Sequence, residues 1–262
     1  MRVALMIEGQ EGVTWPQWLA LARAAEDAEL DALFRSDHYR AIGRGDPNGA
    51  LDAWGTICAL AAVTRTIRLG TLVSPVTFRN PSVLAKLVTT ADHVSGGRVE
   101  LGIGAGWFEA EHDAYGFDFG TSPSRLDELD RQLAEITRQW TEADDIWPKP
   151  LQRPRPPIIV GGRAKPRTVA AAVRFADEYN TLWPTVDEAR ERRQRLDEAA
   201  AAAGRDPLRL SIMIRLEGSA DELEERLRAY EEAGVERVML QHLEHEDTEA
   251  VATVGEVAAR LR

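Results

Sequence analysis

The chain has 262 residues, of which 44% are hydrophobic and 29% are charged, and its formal net charge is −11. A chain of this length can bury a large core, and these proportions are ordinary for a globular protein. Nucleic acids and anionic membranes bind basic surfaces, so this charge argues against both as partners.

Cysteine and histidine usage argues against a metal site. One cysteine, Cys58, lies in the apolar run ICALAAV, which excludes a disulfide framework and a cysteine-based metal centre. The five histidines show no HExxH-like spacing. No metal is therefore expected.

The sequence predicts no targeting or membrane segment. The first ten residues, MRVALMIEGQ, contain too short an apolar run for a signal peptide. No segment approaches the roughly 18 consecutive apolar residues of a membrane span. We therefore expect a cytoplasmic protein.

Short apolar runs alternate with longer amphipathic stretches, a pattern that predicts alternating strands and helices. Helix starts carry typical signals, such as Asn80 as N-cap and Pro81 at the first helical position. We predict strands at residues 3–7, 32–34, 67–73, 99–103, 158–160, 178–182, 208–216 and 237–243. We predict helices at residues 14–29, 52–63, 80–93, 124–140, 166–175, 186–203, 220–232 and 248–261.

Eight strand–helix units in 262 residues are typical of a (β/α)8 TIM barrel, an α/β fold. Near-continuous apolar strands fit a parallel sheet that is covered on both faces. A doubly wound sheet is the alternative, but it usually has fewer units and a glycine-rich fingerprint after its first strand, where none occurs here. We predict one TIM-barrel domain over residues 1–262, with the proline-rich segment 144–157 crossing its floor in extended form.

The stretch RVELGIGAGWFEAEH, residues 98–112, places glycines at positions 102, 104 and 106. Glycines at alternate positions of a strand end leave bare backbone, which allows a flat or phosphate-bearing ligand to approach closely. They could instead relieve crowding where a barrel tapers. The spacing is not the dinucleotide fingerprint G-x-G-x-x-G, and no helix is expected directly after it, so the pattern disfavours a Rossmann fold.

In a TIM barrel, active-site residues lie at the carboxyl ends of the strands. Asp37 could merely begin a turn, His38 could be a satisfied loop histidine, and Trp183 could be either a packing residue or a pocket wall. Gln241 and His242 point to opposite sides of their strand, so at most one faces the barrel mouth. The candidates at strand ends are Glu8, Gln10, Asp37, His38, Ser74, Gly104, Gly106, Trp107, Gly161, Gly162, Arg163, Trp183, Arg215, Gln241 and His242.

The Gly161-Gly162 pair is followed by Arg163, Lys165 and Arg167 at the start of a predicted helix. Exposed backbone amides, a helix N-terminus and nearby cations together suit a phosphate group, although a solvated basic turn would look the same. The chain has no G-x-S-x-G elbow and no Walker-type loop. Phosphate binding without a strong nucleophile favours a cofactor that supplies the reactivity itself.

Four segments resemble the bacterial luciferase-like monooxygenase superfamily. They are SDHY at 36–39, IRLGTLVSPVTFRNPSVLAKLVTTADHVSGGRVELGIGAGW at 67–107, FEAEHDAYGFDF at 108–119 and IIVGG at 158–162. Within the superfamily they are most similar to the oxidoreductases that depend on deazaflavin, coenzyme F420. The members that use FMN share most of these motifs.

The resemblance implies a tricyclic cofactor ring at the barrel mouth. Glu8 and Gly104 would belong to the ring site, and a non-proline cis peptide at Leu72–Val73 would support the ring. The phosphate-bearing tail would be held by Gly161, Gly162 and Arg163, together with backbone near Gly106 and Trp107.

The chemistry implied by the resemblance is hydride transfer between the cofactor C5 and a small organic substrate. His38 would donate or accept a proton. Asp37 would hydrogen-bond the ring or orient His38, and Glu8 and Glu109 are candidates for further acids. The resemblance also implies a homodimer. A reduced-FMN-dependent monooxygenase and a non-catalytic flavin-binding protein are the alternatives.

Overall fold

The computed structural model describes residues 1–43 and 49–262, in which strands and helices alternate. None of the described helices combines the length and apolar character that crossing a membrane requires. The strands are β1 (Arg2–Ile7), β2 (Ala32–Arg35), β3 (Arg68–Thr71), β4 (Ser74–Pro75), β5 (Val99–Gly104), β6 (Ile158–Gly161), β7 (Glu178–Leu182), β8 (Arg209–Arg215) and β9 (Arg237–His242). The helices are α1 (Trp15–Asp27), α2 (Ala53–Val63), α3 (Pro81–Ser95), α4 (Glu109–Tyr115), α5 (Ser122–Thr141), α6 (Pro166–Phe175), α7 (Val186–Ala202), α8 (Ala220–Glu232) and α9 (Thr248–Arg260).

The strands form a parallel sheet that closes on itself. β1 lies between β2 and β9, and the strands from β9 back to β5 pair in sequence order. The circle closes where β3 pairs with β5, with Leu69 opposite Val99. Since β3 and β4 share one barrel position, the described sheet has eight positions. The predicted TIM barrel is confirmed, and the doubly wound alternative, which is an open sheet, is wrong.

The predicted third strand, residues 67–73, is interrupted. β3 ends at Thr71, the Leu72–Val73 peptide bond is cis, and pairing resumes at Ser74. The cis bond lies where the family resemblance placed it. Across the break, the Leu72 N–H donates to the Arg35 carbonyl at 2.8 Å and the Thr71 hydroxyl donates to the Gly102 carbonyl at 2.8 Å. The chain therefore keeps hydrogen bonds to both neighbouring strands, β2 and β5, up to the cis peptide bond.

One helix, α4, was not predicted, and the expectation that no helix directly follows the glycine stretch was wrong. Its buried residues Glu111 and His112 lie three and four positions after Phe108, which is the spacing of one helical face. Gly116 ends the helix in the left-handed conformation, with φ 71°. Seven residues make only about two helical turns, so the sequence pattern of α4 is too short to distinguish a helix from a loop.

The barrel interior is apolar at mid-height and charged at the amino ends of the strands. Ala4, Phe34, Ile159 and Met239 fill the apolar part. Below them, Arg237 is fully buried and forms ion pairs with three acidic side chains. We call this group the floor network, and it consists of Arg237, Glu100, Glu178, Asp31, Arg68 and Arg209.

The two buried glutamates of the floor network have opposite pKa shifts. Burial alone would raise the pKa of Glu100, but Arg237 at 2.8 Å, together with Arg68, outweighs it and holds the pKa at about 2. Glu178 lies 3.3 Å from Arg209 and 3.5 Å from Arg237. For Glu178, burial and repulsion from Glu100 outweigh these arginines, so its pKa is raised.

The proline-rich segment 144–157 crosses the floor, as predicted. The Gln152 side chain donates to the Val99 carbonyl at 2.8 Å and accepts from Arg68 at 3.0 Å. Val99 and Arg68 are the first residues of β5 and β3. Asp92, at the end of α3, accepts from the Gln152 backbone N–H at 3.1 Å. The segment thus closes the amino end of the barrel and leaves the opposite end, the mouth, for a site.

Candidate active site

A buried carboxylate orients His38 at the mouth. His38 Nδ1 lies 2.7 Å from Glu111 Oε1, and the second oxygen of Glu111 accepts the Tyr39 N–H at 3.1 Å. Glu111 is 1% exposed, whereas the His38 side chain retains 15% of its exposure. A carboxylate on Nδ1 fixes the histidine tautomer, so Nε2 is the ring nitrogen that can exchange a proton with a ligand. Among residues 1–43 and 49–262, Nε2 has no hydrogen-bond partner.

The residue that orients His38 is thus Glu111, in place of the acids predicted from the sequence, which are Asp37, Glu8 and Glu109. Residues two apart on a helix lie on nearly opposite faces, so Glu109 and Glu111 cannot both face His38. Glu109 is exposed at the first position of α4. The missed signal was the helical spacing of Phe108, Glu111 and His112.

Asp37 is buried in a hydrogen-bond network and does not contact the His38 ring nitrogens. Its carboxylate accepts from Arg79 at 2.6 and 3.2 Å and from the Ser74 hydroxyl at 2.7 Å. Trp54 donates to the same hydroxyl at 3.0 Å. Because Ser74 directly follows the cis peptide, Asp37 ties the end of β2 to the break in the third strand. This placement gives Asp37 a structural contact in place of the expected one to His38.

Arg79 carries the network outward to Asp52 and Tyr39. Arg79 donates to Asp52 at 2.7 Å, and the Tyr39 hydroxyl donates to the same carboxylate oxygen at 2.9 Å. Burial alone would lower the pKa of Arg79, but Asp37, Tyr39 and Asp52 reverse the shift and raise it. Burial raises the pKa of Tyr39. Arg79 is therefore a permanent cation and Tyr39 a permanent hydrogen-bond donor at neutral pH.

Aromatic rings surround His38. The ring of His38 stands edge-on to Trp107 at 5.8 Å and to Phe108 at 6.1 Å between centroids. Trp107 and Phe108 stack on each other at 5.3 Å. Trp107 is 62% exposed, so a large aromatic face beside His38 is open to solvent.

The glycines of β5 and β6 make room for protein atoms. A Cβ on Gly104 would lie 2.7 Å from the Val73 side chain, and one on Gly161 would lie 3.0 Å from it. A Cβ on Gly102 would overlap the Thr71 carbonyl. Crowding relief therefore explains these three positions. Val73, which is half-buried, occupies the space between two strand ends at the mouth.

Gly106 is different, because its backbone conformation requires glycine. Its φ is 77°, in the left-handed region, and it directly precedes Trp107. A Cβ there would lie 3.2 Å from both Pro75 and Thr77. The turn at Gly106 directs the chain from β5 into the segment that carries Trp107 and α4.

Glu8 joins three elements at the mouth. Gln241 of β9 donates to one Glu8 oxygen at 2.6 Å, and Gln10 donates to the other at 2.9 Å. Gln10 in turn accepts from Ser36, which follows β2. Glu8 is half-buried, with only neutral donors among these contacts.

The Gly161-Gly162 turn leads into α6 and retains two cations. Position 162 has no room for a side chain, because an added Cβ would lie 2.5 Å from the Tyr179 hydroxyl. The same hydroxyl accepts the Ala164 N–H at 2.9 Å. Arg163 and Lys165 are exposed, and in the described chain neither forms an ion pair. These two cations beside the N-terminus of α6 suit a phosphate group. The third predicted cation, Arg167, instead pairs with Asp127 at 2.5 Å.

Both ring nitrogens of His112 and one of His242 form hydrogen bonds within the protein. His112 Nδ1 lies 2.8 Å from the Phe108 carbonyl, and its Nε2 lies 2.6 Å from the Thr77 hydroxyl. His242 is buried, which lowers its pKa, and its Nε2 bonds the Asp247 carbonyl at 3.0 Å. Gln241 rather than His242 reaches the mouth. Trp183, with φ 41° and 52% exposure, projects at the rim instead of packing in the core.

Comparison with known proteins places this geometry in a family. The chain matches the luciferase-like monooxygenase family over residues 2–260. It belongs to that family. A protein of Mycobacterium tuberculosis (strain ATCC 25618 / H37Rv) that is described as uncharacterised, Rv0953c, is 31% identical over 253 residues, which are 91% of this chain and 83% of the relative.

Relatives differ in the cofactor that their names give. A putative coenzyme F420-dependent oxidoreductase of M. tuberculosis, Rv3520c, is 27% identical over 230 residues, covering 78% of this chain and 62% of that protein. The FMNH2-dependent dimethylsulfone monooxygenase of Pseudomonas putida is 27% identical over 159 residues, covering 56% of this chain and 43% of that protein. The superfamily thus has both F420-dependent and FMN-dependent members.

A solved structure confirms the fold over the whole chain. An F420-dependent secondary alcohol dehydrogenase, in complex with an F420-acetone adduct, superposes with a TM-score of 0.86. The alignment covers 100% of this chain and 99% of that one, at 18% sequence identity. The luciferase-like TIM barrel is therefore shown by the family match and by the structure.

Proposed function

We propose that this protein is an F420-dependent oxidoreductase that transfers a hydride between the deazaflavin C5 and a small organic substrate. The observation that carries the proposal is His38, fixed through Nδ1 by buried Glu111, with no partner for Nε2 among the described residues at a mouth lined by Trp107. Oxidising or reducing a carbon–oxygen or carbon–nitrogen bond by hydride transfer also moves one proton, and an oriented histidine can carry it. The F420-dependent relative aligns over more of this chain than the FMNH2-dependent one, which favours F420.

The residues at the mouth would suit a flat ring with an anionic tail. Arg163 and Lys165, beside the N-terminus of α6, would hold the phosphate, and Val73 would support the ring from below. Glu8, Gly104 and the backbone at Gly106 would border the ring. A bound deazaflavin would supply a hydride donor or acceptor at C5.

The chain's own residues would handle the proton and the surroundings. His38 Nε2 would give a proton to the substrate or take one from it, according to the direction of the reaction. Glu111 would stabilise the imidazolium that forms during that transfer. Trp107 and Phe108 would exclude water from the reacting atoms.

Cofactor titration tests the proposal. Purified protein is titrated with F420 and, separately, with FMN while cofactor fluorescence is followed. We expect saturable F420 binding at micromolar concentrations and FMN binding at least tenfold weaker. Micromolar FMN binding without F420 binding would overturn the proposal and favour the second candidate, a reduced-FMN-dependent monooxygenase, which the FMNH2-dependent relative supports.

We also propose that the protein forms a homodimer, because the family resemblance implies one and because apolar side chains are exposed around the mouth. Those side chains are Ile42, Leu51, Trp107, Tyr115, Leu182 and Trp183. Light scattering coupled to gel filtration is expected to give twice the chain mass of 29.0 kDa. A monomeric mass at all concentrations would contradict the dimer and leave the proposed chemistry untouched.

A further inference from the structure

A cavity of about 500 Å³ lies at the floor of the barrel, far from His38 along the barrel axis. Its wall comes from the segment 144–157 and from the chain that enters β7 and β8. A volume of this size suits a small ligand. The lining residues are Gln152, Arg153, Pro154, Arg155, Pro157, Asp177, Arg205, Pro207 and Arg209.

The cavity is strongly basic in an acidic protein. Four of its nine lining residues are arginines, while the whole chain carries a net charge of −11. Asp177 accepts from Arg155 at 2.5 Å, and Glu178 lies 3.3 Å from Arg209. Arg153 and Arg205 have no carboxylate partner among the residues that the structure describes. Arg153 is exposed and Arg205 is half-buried, so their uncompensated charges line an open, concave pocket that attracts anions.

Neutral backbone oxygens hold these two guanidinium groups in place. Arg205 donates to the Val173 carbonyl at 2.6 Å and to the Asp206 carbonyl at 3.2 Å. Arg153 donates to the Pro150 carbonyl at 2.7 Å. Carbonyl acceptors restrict the rotamers without neutralising the charge. Each arginine has five N–H groups, so donors remain for a ligand after these bonds are made.

The wall between the arginines is stiff. Pro154, Pro157 and Pro207 line the cavity, and proline lacks conformational freedom about φ. A solvated basic turn would consist of mobile side chains on a mobile loop. Here the side chains are anchored and the backbone is restricted, which reduces the entropy cost of binding an anion.

We propose that this cavity binds a small multiply charged anion that bears phosphoryl groups. Arg153 and Arg205 would provide its uncompensated charge, with Arg155 and Arg209 completing the positive wall. Arginine matches phosphate geometry through paired N–H donors, so several arginines around one cavity select a polyanion over chloride. The site is separate from the mouth and does not depend on the function proposed there.

Calorimetric titration with inorganic pyrophosphate tests the site, at constant ionic strength set by sodium chloride. We expect saturable pyrophosphate binding with a dissociation constant below about 1 mM at pH 7.5, and one pyrophosphate per chain once Arg163 and Lys165, the two cations proposed to hold the cofactor phosphate, are replaced by alanine. The double variant Arg153→Ala/Arg205→Ala is expected to bind at least tenfold more weakly. Arg190→Ala removes an exposed arginine that pairs with Asp187 on α7, and this matched control is expected to bind as the wild type does.

A fold defect is separated from a lost site by two further measurements. Arg153→Lys keeps the charge but loses the paired donors, so it is expected to weaken pyrophosphate binding severalfold without changing the melting temperature. Arg163→Ala/Lys165→Ala removes the two cations proposed to hold the cofactor phosphate at the mouth and is expected to keep the floor site, so this variant makes the test independent of the mouth. The proposal would be overturned if the wild type and the folded Arg153→Ala/Arg205→Ala variant bound pyrophosphate equally well. It would also be overturned if the wild type bound pyrophosphate no more strongly than it binds chloride at an equal concentration of charge.

Discussion

At the scale of single residues, the position of His38 at the mouth depends on one carboxylate, Glu111, which was not among the acids predicted from the sequence. Glu111 is almost fully buried, and both of its carboxylate oxygens form hydrogen bonds to the short segment that carries His38 and Tyr39. A buried carboxylate without these partners would pay a large desolvation cost. Glu111 therefore fixes the position of His38 as well as its tautomer, and substitutions here should affect catalysis more than cofactor binding.

Replacing Glu111 tests this role. Glu111→Gln keeps the shape of the side chain but removes the charge that stabilises an imidazolium. We expect kcat with F420 to fall by about 10² and the dissociation constant of F420 to change by less than about threefold, since general acid–base catalysis contributes roughly 10²–10⁴. Steady-state kinetics and fluorescence titration measure the two quantities.

Two variants on the same helix serve as comparisons. Asp113→Asn removes an exposed charge on α4 and is expected to leave kcat unchanged. Glu109→Gln decides between the two acids. A loss of kcat in the Glu109 variant that matches the Glu111 loss would mean that Glu111 does not have the specific role assigned to it.

Asp37 gives a second prediction at the residue scale, because its partners are structural. Asp37→Asn would leave the buried Arg79 without full compensation, and breaking a buried ion pair typically costs about 3–5 kcal/mol. We expect a clear decrease in the free energy of unfolding, measured by urea denaturation. Asp113→Asn is again the control. A variant as stable as the wild type would show that Asp37 is not the anchor of the third strand.

At the scale of elements, the break between β3 and β4 is matched by glycines on the neighbouring strands. The Val73 side chain fills the positions that Cβ atoms of Gly104 and Gly161 would take. The glycine pattern visible in the sequence therefore reports the shape of the broken strand.

A double-variant cycle tests this coupling. Gly104→Ala places a Cβ 2.7 Å from a Val73 methyl group, and such overpacking typically costs about 1–3 kcal/mol. Val73→Ala removes that methyl group. We expect the double variant to recover most of the stability lost by Gly104→Ala, as measured by urea unfolding. Simple additivity of the two single effects would disprove direct contact.

The elements were predictable where local pattern and tertiary environment agree. The helix at residues 166–175 and the strand at 178–182 were predicted with the bounds that the structure gives them. The strand at 67–73 was predicted as continuous, because an apolar run shows no sign of a cis peptide unless a related family is recognised. α4 was missed since seven residues carry too little periodicity. Partners such as Glu111 for His38 depend on contacts between residues 73 positions apart, which no local pattern encodes.

At the scale of the whole molecule, the two ends of the barrel have different electrostatics. The floor network buries Arg237 among carboxylates, whereas the mouth exposes aromatic rings and the cations Arg163 and Lys165. Residues 144–157 seal the floor, and this division keeps strongly coupled charges away from the ligand site.

The floor glutamates give a stability prediction with a defined sign. The pKa of Glu178 is raised on folding, so the folded state favours the neutral carboxyl group and ionisation of Glu178 opposes folding. The stability that the neutral form contributes is therefore lost as the pH rises through the folded pKa. Glu178→Gln should therefore raise the melting temperature at pH 8 relative to the wild type, and the gain should shrink toward pH 4.5. Scanning calorimetry across this range measures it. A variant less stable than the wild type at pH 8 would contradict the assigned direction.

Glu100 provides the opposite case within the same network. Its folded pKa of about 2 lies below the ordinary value of 4.5, so its contribution to stability is present above pH 4.5 and is lost as pH falls toward 2. Glu100→Gln should lower the melting temperature at pH 7, with a difference that narrows in acid. The two variants should thus change stability in opposite directions.

The closure of the barrel by residues 144–157 has a consequence for engineering. None of the floor carboxylates touches His38, Glu111 or Trp107. Substitutions that stabilise the floor and substitutions that change specificity at the mouth should therefore combine without interference. Free-energy effects of distant, unshared sites usually add to within about 0.5 kcal/mol. If Glu178→Gln raises the melting temperature as predicted above, that background would offset the stability lost by remodelling the rim, and libraries built around Trp107 and Trp183 would retain more folded members than the same libraries in the parent chain.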